Sequence, residues 1–475
     1  MKNKKSLLII CFISSMFLLV ACQNKQPQKQ PNILLICIDD LRPDLKSFGA
    51  NHIISPNIDK LAKEGVSFQR HYVNSPSCGP SRYTLLTGLY GTPNNNALFL
   101  RAKQIAEEKT IAPSMPEWFK KHGYTTVSVG KVSHHPGGRG GANWNDSTII
   151  EMPNTWDKHL MPVGNWQHPR GAMHGLANGE IREKSGEMDV FQSTEGDDNI
   201  YPDGAIANAA LKELKSLTSE NKKPFFLAVG FIKPHLPFGA PKIYYDKYET
   251  VDFPEIKHPE KPEGRTTWHS SNEFKQYNRW GKNPNEDADF ANEIRRHYAA
   301  CITYVDAQVG KVLDALRQTG ADKNTVVVLW GDHGWHLGEH AIWGKHSLFE
   351  ASLHAPLIIH DPRIEQAGFK TNAMVETLDV FPTLCDLASI ETPGFIEGVS
   401  LKNVINKQDA VGHNVLAYNT GAVTLRTDTH RLVLHHDGFV ELYDFGIAES
   451  ETKNVAETHP ELVEKLKQEL KAKWE

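Results

Sequence analysis

The stretch PNILLICIDD, residues 31–40, decides the fold, because an unbroken apolar run leads directly into two carboxylates. Continuous apolar runs of this length are typical of strands buried on both faces, as in parallel sheets covered by helices. Ligands in such folds bind beyond the carboxyl ends of the strands. The stretch therefore predicts a central buried strand that carries Asp39 and Asp40 to the ligand-binding edge of a sheet.

The same alternation of strands and helices continues along the chain. Further strands are predicted at VSFQRHYV (66–73), TTVSVGK (125–131), PFFLAVGF (224–231), NTVVVLW (324–330) and APLIIH (355–360). Helices are predicted at PNIDKLAKEG (56–65), SMPEWFKKHGY (114–124), AIANAALKELKSL (205–217), 289–319 and VFPTLCDLA (380–388). This order predicts an α/β fold with a large, mostly parallel sheet between helices.

Two regions depart from the alternation. Residues 135–200 and 239–288 are long and irregular, which is typical of functional loops in a compact domain. From about residue 395 the chain has short strand-like runs at hairpin spacing and then a helical pattern. We therefore predict a catalytic domain over 31–394 and a smaller C-terminal unit over 395–475, with an antiparallel sheet and a terminal helix.

The N-terminus reads as a targeting segment. Lys2, Lys4 and Lys5 precede an apolar run that ends in LVAC, which resembles a bacterial lipoprotein signal. The resemblance predicts a signal peptide over 1–22, lipid on Cys22, and a polar linker over 23–30. The protein would then be exported and anchored by its lipid to a bacterial membrane; ordinary signal cleavage is the alternative.

Net charge and cysteine content narrow the function. The formal net charge is −5, so no global basic field attracts nucleic acid, and no nucleic-acid partner is expected. Cys37, Cys301 and Cys385 lie in apolar runs and read as buried hydrophobic residues. Cys78 instead lies among small and polar residues in SPSCGPSRYTLLTG (75–88), in a predicted turn before a helix-like run.

Three carboxylates follow predicted strands: Asp39, Asp40 and Asp332, the last beside His333. Taken singly, each of these aspartates would be interpreted as a helix-cap or turn residue. Three carboxylates in one dry pocket require a cation or protons. A hard divalent cation with oxygen ligands meets that requirement, so the pattern predicts a metal site.

Basic side chains follow strands in the same way: Lys131, His134, His235 and Lys345. Single lysines are usually solvated, but together these groups suit a tetrahedral oxyanion ester, with a His or Lys protonating the leaving oxygen. Cys78 does not fit thiol catalysis here. Arg82 follows four residues later with Pro80 between, which excludes the anion loop of thiol-dependent phosphatases, and thiolate prefers softer metals.

The stretch CGPSRYTLLTG resembles the type I sulfatase signature Cys-x-Pro-Ser-Arg-x-x-x-x-Thr-Gly. Further stretches resemble successive blocks of that family between residues 31 and 475, nearest to its iduronate-2-sulfatase-like branch. They include VSVGKVSHHPG, FFLAVGFIKPHLPF and GDHGWHLGEHAIWGKHS. The resemblance implies an alkaline-phosphatase-like fold and a sulfuric ester hydrolase (EC 3.1.6.-). It also implies that a formylglycine-generating or anaerobic sulfatase-maturating enzyme oxidises Cys78 to formylglycine, whose hydrate is the nucleophile.

The resemblance also implies roles for the individual residues. The implied Ca²⁺ ligands are formylglycine at 78 with Asp39, Asp40, Asp332 and His333. Much of the family has Asn where this chain has His333, and imidazole is a less usual Ca²⁺ ligand than oxygen. By the same resemblance, Arg82 would stabilise the hydrate, and Lys131 and His134 would contact the nucleophile and the sulfate. His235 and Lys345 would face the bridging oxygen, with His235 favoured as the proton donor.

The substrate is not decided by the sequence. An exo-acting carbohydrate sulfatase is favoured, with 2-O-sulfated uronate of glycosaminoglycans or an algal polymer such as ulvan as candidates. Trp335, beside the metal pair, is expected either to form a wall of the sugar pocket or simply to pack in the core. The alternative activity is phosphonate or phosphate monoester hydrolysis on the same fold, and a non-enzymatic glycan-binding protein would lack some of these residues.

Overall fold

The computed structural model describes residues 30–136, 150–181, 184–220, 223–364, 368–447 and 450–474. The predicted signal peptide, the lipidation site Cys22 and residues 23–29 of the predicted linker lie outside these ranges, as do residues 137–149 of the first insertion. Within the described ranges, no helix combines the length and apolar character needed to cross a bilayer.

An eight-stranded sheet forms the centre of the molecule. Its strands are β1 (Asn32–Ile38), β2 (Val66–Tyr72), β3 (Thr125–Gly130), β4 (Lys158–Leu160), β6 (Phe225–Phe231), β8 (Thr325–Gly331), β11 (Leu357–His360) and β12 (Phe369–Glu376), in the order β12-β2-β11-β8-β1-β6-β3-β4. Only β11 runs antiparallel to its neighbours, so the sheet is mostly parallel as predicted. Two small ribbons, β5 (Phe191–Thr194) with β7 (Phe238–Pro241) and β9 (His336–Leu337) with β10 (Trp343–Gly344), flank it.

Helices cover both faces of this sheet. The helices of the described residues, of which α13 packs elsewhere, are α1 (Pro56–Glu64), α2 (Cys78–Thr87), α3 (Ala97–Ala106), α4 (Met115–Lys121), α5 (Pro169–His174), α6 (Pro202–Glu220), α7 (Lys242–Tyr245), α8 (Asn272–Lys275), α9 (Ala288–Gln318), α10 (Glu350–Leu353), α11 (Val380–Ala388), α12 (Lys402–Asn406) and α13 (Pro460–Trp474). Along β1, Leu34 and Ile36 face one core cluster while Ile33 and Leu35 face the other. This burial on both faces explains the unbroken apolar run.

The C-terminal unit is a four-stranded antiparallel sheet with a helix on it, as predicted. The strands β13 (Val415–Tyr418), β14 (Ala422–Arg426), β15 (His430–His435) and β16 (Val440–Asp444) pair in sequence order, and α13 packs against them. Leu401, Val404 and Ile405 belong to the core of the large sheet. The domain boundary at 394 stays a prediction.

Four adjacent strands, β8, β1, β6 and β3, end at one edge of the sheet. The predicted polar site residues follow the carboxyl ends of these strands. Their backbone pairing continues past the strand ends: Asp39 N–H donates to Phe231 O (3.3 Å), Asp332 N–H to Ile38 O (3.1 Å), and Lys131 N–H to Gly230 O (2.8 Å). The positions of these side chains are therefore set by the sheet itself, which is the most rigid part of the fold.

A close backbone approach between β3 and β6 holds Lys131 in place. Gly130 has φ +76°, and a Cβ atom there would lie 2.2 Å from Gly230 O. A Cβ atom on Gly230 would lie 2.1 Å from both the carbonyl carbon and the oxygen of Lys131. Since these contacts are with backbone, no side-chain rotation can relieve them.

We expect Gly230→Ala to destabilise the protein by about 1–3 kcal/mol, because the added methyl overlaps the Lys131 peptide. Gly394→Ala is the control, since nothing lies within 4 Å of its added Cβ. Urea unfolding compares the two variants with the wild type. Equal stability of all three proteins would contradict the close approach.

Candidate active site

Arg82 binds two of the predicted carboxylates at once. Its Nη2 lies 3.0 Å from Asp39 Oδ1 and 2.9 Å from Asp332 Oδ2, and its Nε donates to Asp332 Oδ2 at 3.1 Å. Its Nη1 donates to the carbonyl oxygens of Lys131 and Val132. All three nitrogens of this fully buried guanidinium are therefore bonded to the protein, and Arg82 orients the two carboxylates.

The lysines pair with carboxylates in the same cluster. Lys131 Nζ donates to Asp39 Oδ2, and Lys345 Nζ donates to Asp40 Oδ1 at 2.9 Å. Three buried carboxylates are thus matched by three buried cations, Arg82 included. The inference from charge alone that the carboxylates require a metal is too strong, because the protein already supplies the opposite charge.

Cys78 is the first residue of α2, not a turn residue as the sequence suggested. Ser77 is the N-cap, and the Asn95 side chain accepts the Gly79 N–H at 3.0 Å. A helix N-terminus concentrates backbone N–H groups and favours negative charge. The Cys78 side chain is 2% exposed, with Sγ 3.3 Å from Lys345 Nζ and 3.2 Å from His333 Nε2.

The thiol of Cys78 is a poor nucleophile in this environment. Burial raises its pKa well above the ordinary value and Asp39 adds to the effect, although Lys345 and Lys131 act in the opposite direction. Because the thiolate is the reactive form, residue 78 is held as an unreactive thiol. This agrees with the sequence argument against thiol catalysis.

His333 directs Nε2 towards the cluster. Its Nδ1 lies 2.9 Å from Gly334 O, which can only accept a hydrogen bond, so Nδ1 carries a hydrogen. Its Nε2 lies 3.3 Å from Asp40 Oδ1. A ring fixed by a backbone carbonyl in this way is the usual arrangement of a metal-binding histidine.

Four of the five predicted metal ligands lie together. Asp39, Asp40, Cys78 and His333 offer ligand atoms that are all within 4.8 Å of one another. Asp40 Oδ2 is buried and has no hydrogen-bond partner among the described residues. Asp332 is adjacent to this group, since its Oδ1 lies 3.6 Å from His333 Nε2 and accepts the Asp40 N–H at 2.9 Å, while its Oδ2 binds Arg82.

The carboxylates differ in their ease of ionisation. Burial opposes ionisation of Asp39, but Lys131 and Arg82 outweigh it and hold the pKa of this carboxyl well below its usual range. Burial, with Asp39 next, raises the pKa of Asp332 to about 6. Burial also raises the pKa of Asp40, although Lys345 opposes the shift. A cation at the group of four ligands would therefore favour the ionised form of Asp40.

The two predicted histidines of the basic lining are neutral here. Burial lowers the pKa of His134 well below its usual value, with His135 and Lys131 adding to this, and its ring centroid lies 4.4 Å from that of His135. Burial, then Lys131 and Lys345, likewise lower the pKa of His235. His235 Nδ1 bonds to Leu236 O at 2.6 Å, which leaves Nε2 facing the site.

Trp335 does not form a wall of a sugar pocket. It is 0% exposed, packs edge-on against Phe238, and lies in the core cluster that contains β1. Lys345 Nζ lies 5.4 Å from its ring centroid. Trp335 therefore packs in the core, which is the second of the two predictions. Its ring lies beneath the Lys345 ammonium group.

Glu273, which the sequence did not single out, joins the two groups predicted to face the leaving oxygen. Its Oε1 lies 3.3 Å from Lys345 Nζ and 3.6 Å from His235 Nε2. It comes from α8 in the second insertion, where no motif marked it. Only the length of that insertion indicated that such a residue was present.

A cavity of about 560 Å³, here called the side cavity, opens beside Glu273. Both insertions contribute to its lining, which includes His168, Arg170, His174, Glu273, Gln276 and Tyr277. A larger cavity of about 870 Å³ lies between β12 and residues 408–414. None of the predicted site residues lines either cavity, but Glu273 of the side cavity contacts Lys345 and His235. This contact favours the side cavity as the place for a substrate.

Family comparisons agree with this geometry. The sulfatase family model matches residues 31–390, and a model described as N-sulphoglucosamine sulphohydrolase, C-terminal, matches residues 338–475. A sulfatase of Formosa agariphila is 30% identical over 94% of this chain and 86% of its own length. Human iduronate 2-sulfatase is 31% identical over 76% of this chain and 70% of its own length.

The fold is shared with solved enzymes. The phosphonate monoester hydrolase of Agrobacterium radiobacter superimposes with a TM-score of 0.74 at 21% identity, covering 94% of this chain and 95% of that one. At this identity the likeness concerns the fold, which is of the alkaline-phosphatase-like type, as expected. Because the family model matches most of the chain and a sulfatase relative is 30% identical along nearly its whole length, this protein belongs to the sulfatase family of sulfuric ester hydrolases.

Proposed function

We propose that the protein removes O-sulfate groups from sulfated carbohydrates, acting on chain ends, with formylglycine at position 78 as the nucleophile. The observation that carries the proposal is the joint position of residue 78, at a helix N-terminus, against Lys345, His333 and Asp40. An anionic ester needs this combination of positive charge and a carboxylate group that can hold a cation. The hydrate of formylglycine would supply a nucleophilic oxygen, which a buried thiol cannot.

The residues fit a divalent cation, and we propose Ca²⁺. Asp39, Asp40 and His333, together with position 78, would hold it, with Asp332 as the fifth ligand beside His333. The Asp40 Oδ2 atom, which has no hydrogen-bond partner among the described residues, is the feature that a cation would complete. When bound, such a cation polarises an oxygen and offsets negative charge. Lys131 and Lys345 then become available to neutralise the sulfate ester, because the carboxylates they pair with have another partner. Ca²⁺ is proposed over softer metals because two of the ligands are carboxylates.

We propose His235 as the group that protonates the leaving oxygen. A general acid must carry the proton at working pH, and the neutral His235 gains it when negative charge approaches Nε2. Glu273 Oε1 lies 3.6 Å away, and the incoming sulfate ester adds further negative charge. Lys345 is less suited, because Asp40 raises its pKa well above the ordinary value even though burial opposes this.

The substrate is proposed from relatives and from the cavity. Human iduronate 2-sulfatase is among the relatives, which supports a 2-O-sulfated uronate of glycosaminoglycans; a sulfated algal polysaccharide such as ulvan is the second candidate. The alternative activity, phosphonate or phosphate monoester hydrolysis, is supported by the fold likeness to a phosphonate monoester hydrolase. We also propose that the protein is exported and that a lipid on Cys22 anchors it to a bacterial membrane.

Turnover of matched esters tests the activity. We expect sulfate release from defined 2-O-sulfated disaccharides to exceed phosphate or phosphonate release from equivalent esters. Cys78→Ala should lose roughly 10³-fold or more, because it removes the precursor of the nucleophile. Cys385→Ala, a core cysteine far from the chemistry in sequence, should stay near wild type. Faster phosphate ester turnover would favour the alternative.

Mass spectrometry of the peptide that contains residue 78 tests the modification. Because Cys78 is 2% exposed and sits under Lys345, a formylglycine-generating or anaerobic sulfatase-maturating enzyme should act before folding. We expect residue 78 to be converted to formylglycine when the maturating enzyme is co-expressed with the protein. We expect little conversion when the maturating enzyme is added to the folded protein. Equal conversion of folded and nascent chains would contradict the burial argument, and an active enzyme with unmodified thiol would contradict the proposed nucleophile.

A further inference from the structure

Among the described residues, the lining of the side cavity includes one exposed cation. Arg170, on α5, lines the cavity and is exposed. Among the residues that the structure describes, no carboxylate forms an ion pair with it, whereas most arginines near the active site are paired. An unpaired guanidinium in a cavity is suited to a planar anion, because its fork of N–H donors matches a carboxylate.

Several cations act on the inner end of the side cavity, next to His174. Burial lowers the pKa of His174 to about 3, and Lys131, Arg170, Lys233 and Lys345 all add to the effect. His174 also lies between the cavity and the catalytic groups, since its ring centroid is 5.3 Å from that of His235. A positive potential does not attract a neutral sugar, whereas it favours the binding of a negatively charged sugar.

Glu273 decides where a second negative charge can lie. Its Oε1 is bound by Lys345, but its Oε2 is buried and has no hydrogen-bond partner among the described residues. A ligand hydroxyl can donate to Oε2, whereas a ligand anion is repelled there. Any carboxylate of the substrate must therefore lie away from Glu273, and Arg170 is the cation of the cavity lining that is free to receive it.

We propose that the side cavity binds an acidic sugar, with Arg170 pairing with its carboxylate and Glu273 Oε2 accepting a hydrogen bond from a ring hydroxyl. This rests on the proposed sulfatase function and narrows its substrate to a sulfated uronate. Arg170 is then a residue that determines specificity, and it takes no part in the chemistry at sulfur.

Binding to the full-length Cys78→Ala protein tests the proposal, since this variant leaves the ligand intact. The probes are a disaccharide with a 2-O-sulfated uronate at its non-reducing end and the same disaccharide with the carboxyl reduced to an alcohol. Calorimetry gives the dissociation constants. We expect Arg170→Gln to weaken binding of the acidic probe by about 10–100-fold and to leave binding of the reduced probe unchanged.

Two further variants make the result specific. Arg170→Lys should recover part of the affinity for the acidic probe, because the charge is kept and the fork is lost. Arg317→Gln, at the end of α9 and paired with Asp314, should change neither affinity. Thermal unfolding of each variant confirms that it is folded. Equal weakening of both probes, no weakening of the acidic probe, or no binding of either probe would overturn the proposal.

A separate measurement distinguishes this failure from failure of the proposed function. Sulfate release from 4-nitrophenyl sulfate by the matured wild type reports the chemistry without any carboxylate. If that activity is present while binding is independent of Arg170, only the assignment of the side cavity is wrong. If no sulfate ester is turned over, the proposed function itself is wrong.

Discussion

The ion pairs of Arg82 with Asp39 and Asp332 are the constraint on which the site depends. Arg82 belongs to α2, whereas the two carboxylates follow β1 and β8, so one guanidinium joins the helix that presents residue 78 to the edge of the sheet. All three side chains are fully buried. A buried charge that loses its partner costs about 3–5 kcal/mol, so the helix and the strand ends are held in one relative position.

The carboxylates of the proposed metal site are paired with cations of the protein itself. Asp39, Asp40 and Asp332 are each paired with a buried cation, although Lys345 also contacts Glu273. Asp40 Oδ2 still has no hydrogen-bond partner among the described residues. A site of this kind is preorganised, because the charges are held by the fold before substrate or cation arrives. The lysines are in place beforehand, so no large rearrangement has to accompany binding.

Much of the catalytic cluster could be predicted from the sequence, because its residues follow strands that end at one edge. Asp39, Lys131, His235 and Asp332 were named on that basis, and the structure brings them to adjacent strands. Pairing could not be predicted in this way, since strand order does not say which cation meets which carboxylate. For the same reason the pairing of Arg82 with Asp39 and Asp332 could not be predicted.

Other features lacked any signal in the sequence. The edge strand β12 was missed because its run, FKTNAMVE, is interrupted by polar residues at a register shift. Glu273 and Arg170 lie in insertions without regular periodicity, so their contacts with the site depend on the tertiary fold alone. Sequence patterns thus reveal the site residues that follow strands of the sheet, but not the residues that the insertions bring to the site.

Calcium titration of the wild type and of Asp40→Asn tests the central claim most directly. Asn tolerates the left-handed backbone of residue 40 (φ 58°), and Lys345 keeps Glu273 as a charged partner at 3.3 Å, so this change removes the Asp40 charge without leaving the lysine unpaired. The account predicts that one Ca²⁺ binds per wild-type chain and raises its thermal unfolding midpoint, while the variant, folded equally well without calcium, binds far more weakly. No binding to the wild type, or equal binding to both proteins, would contradict the account.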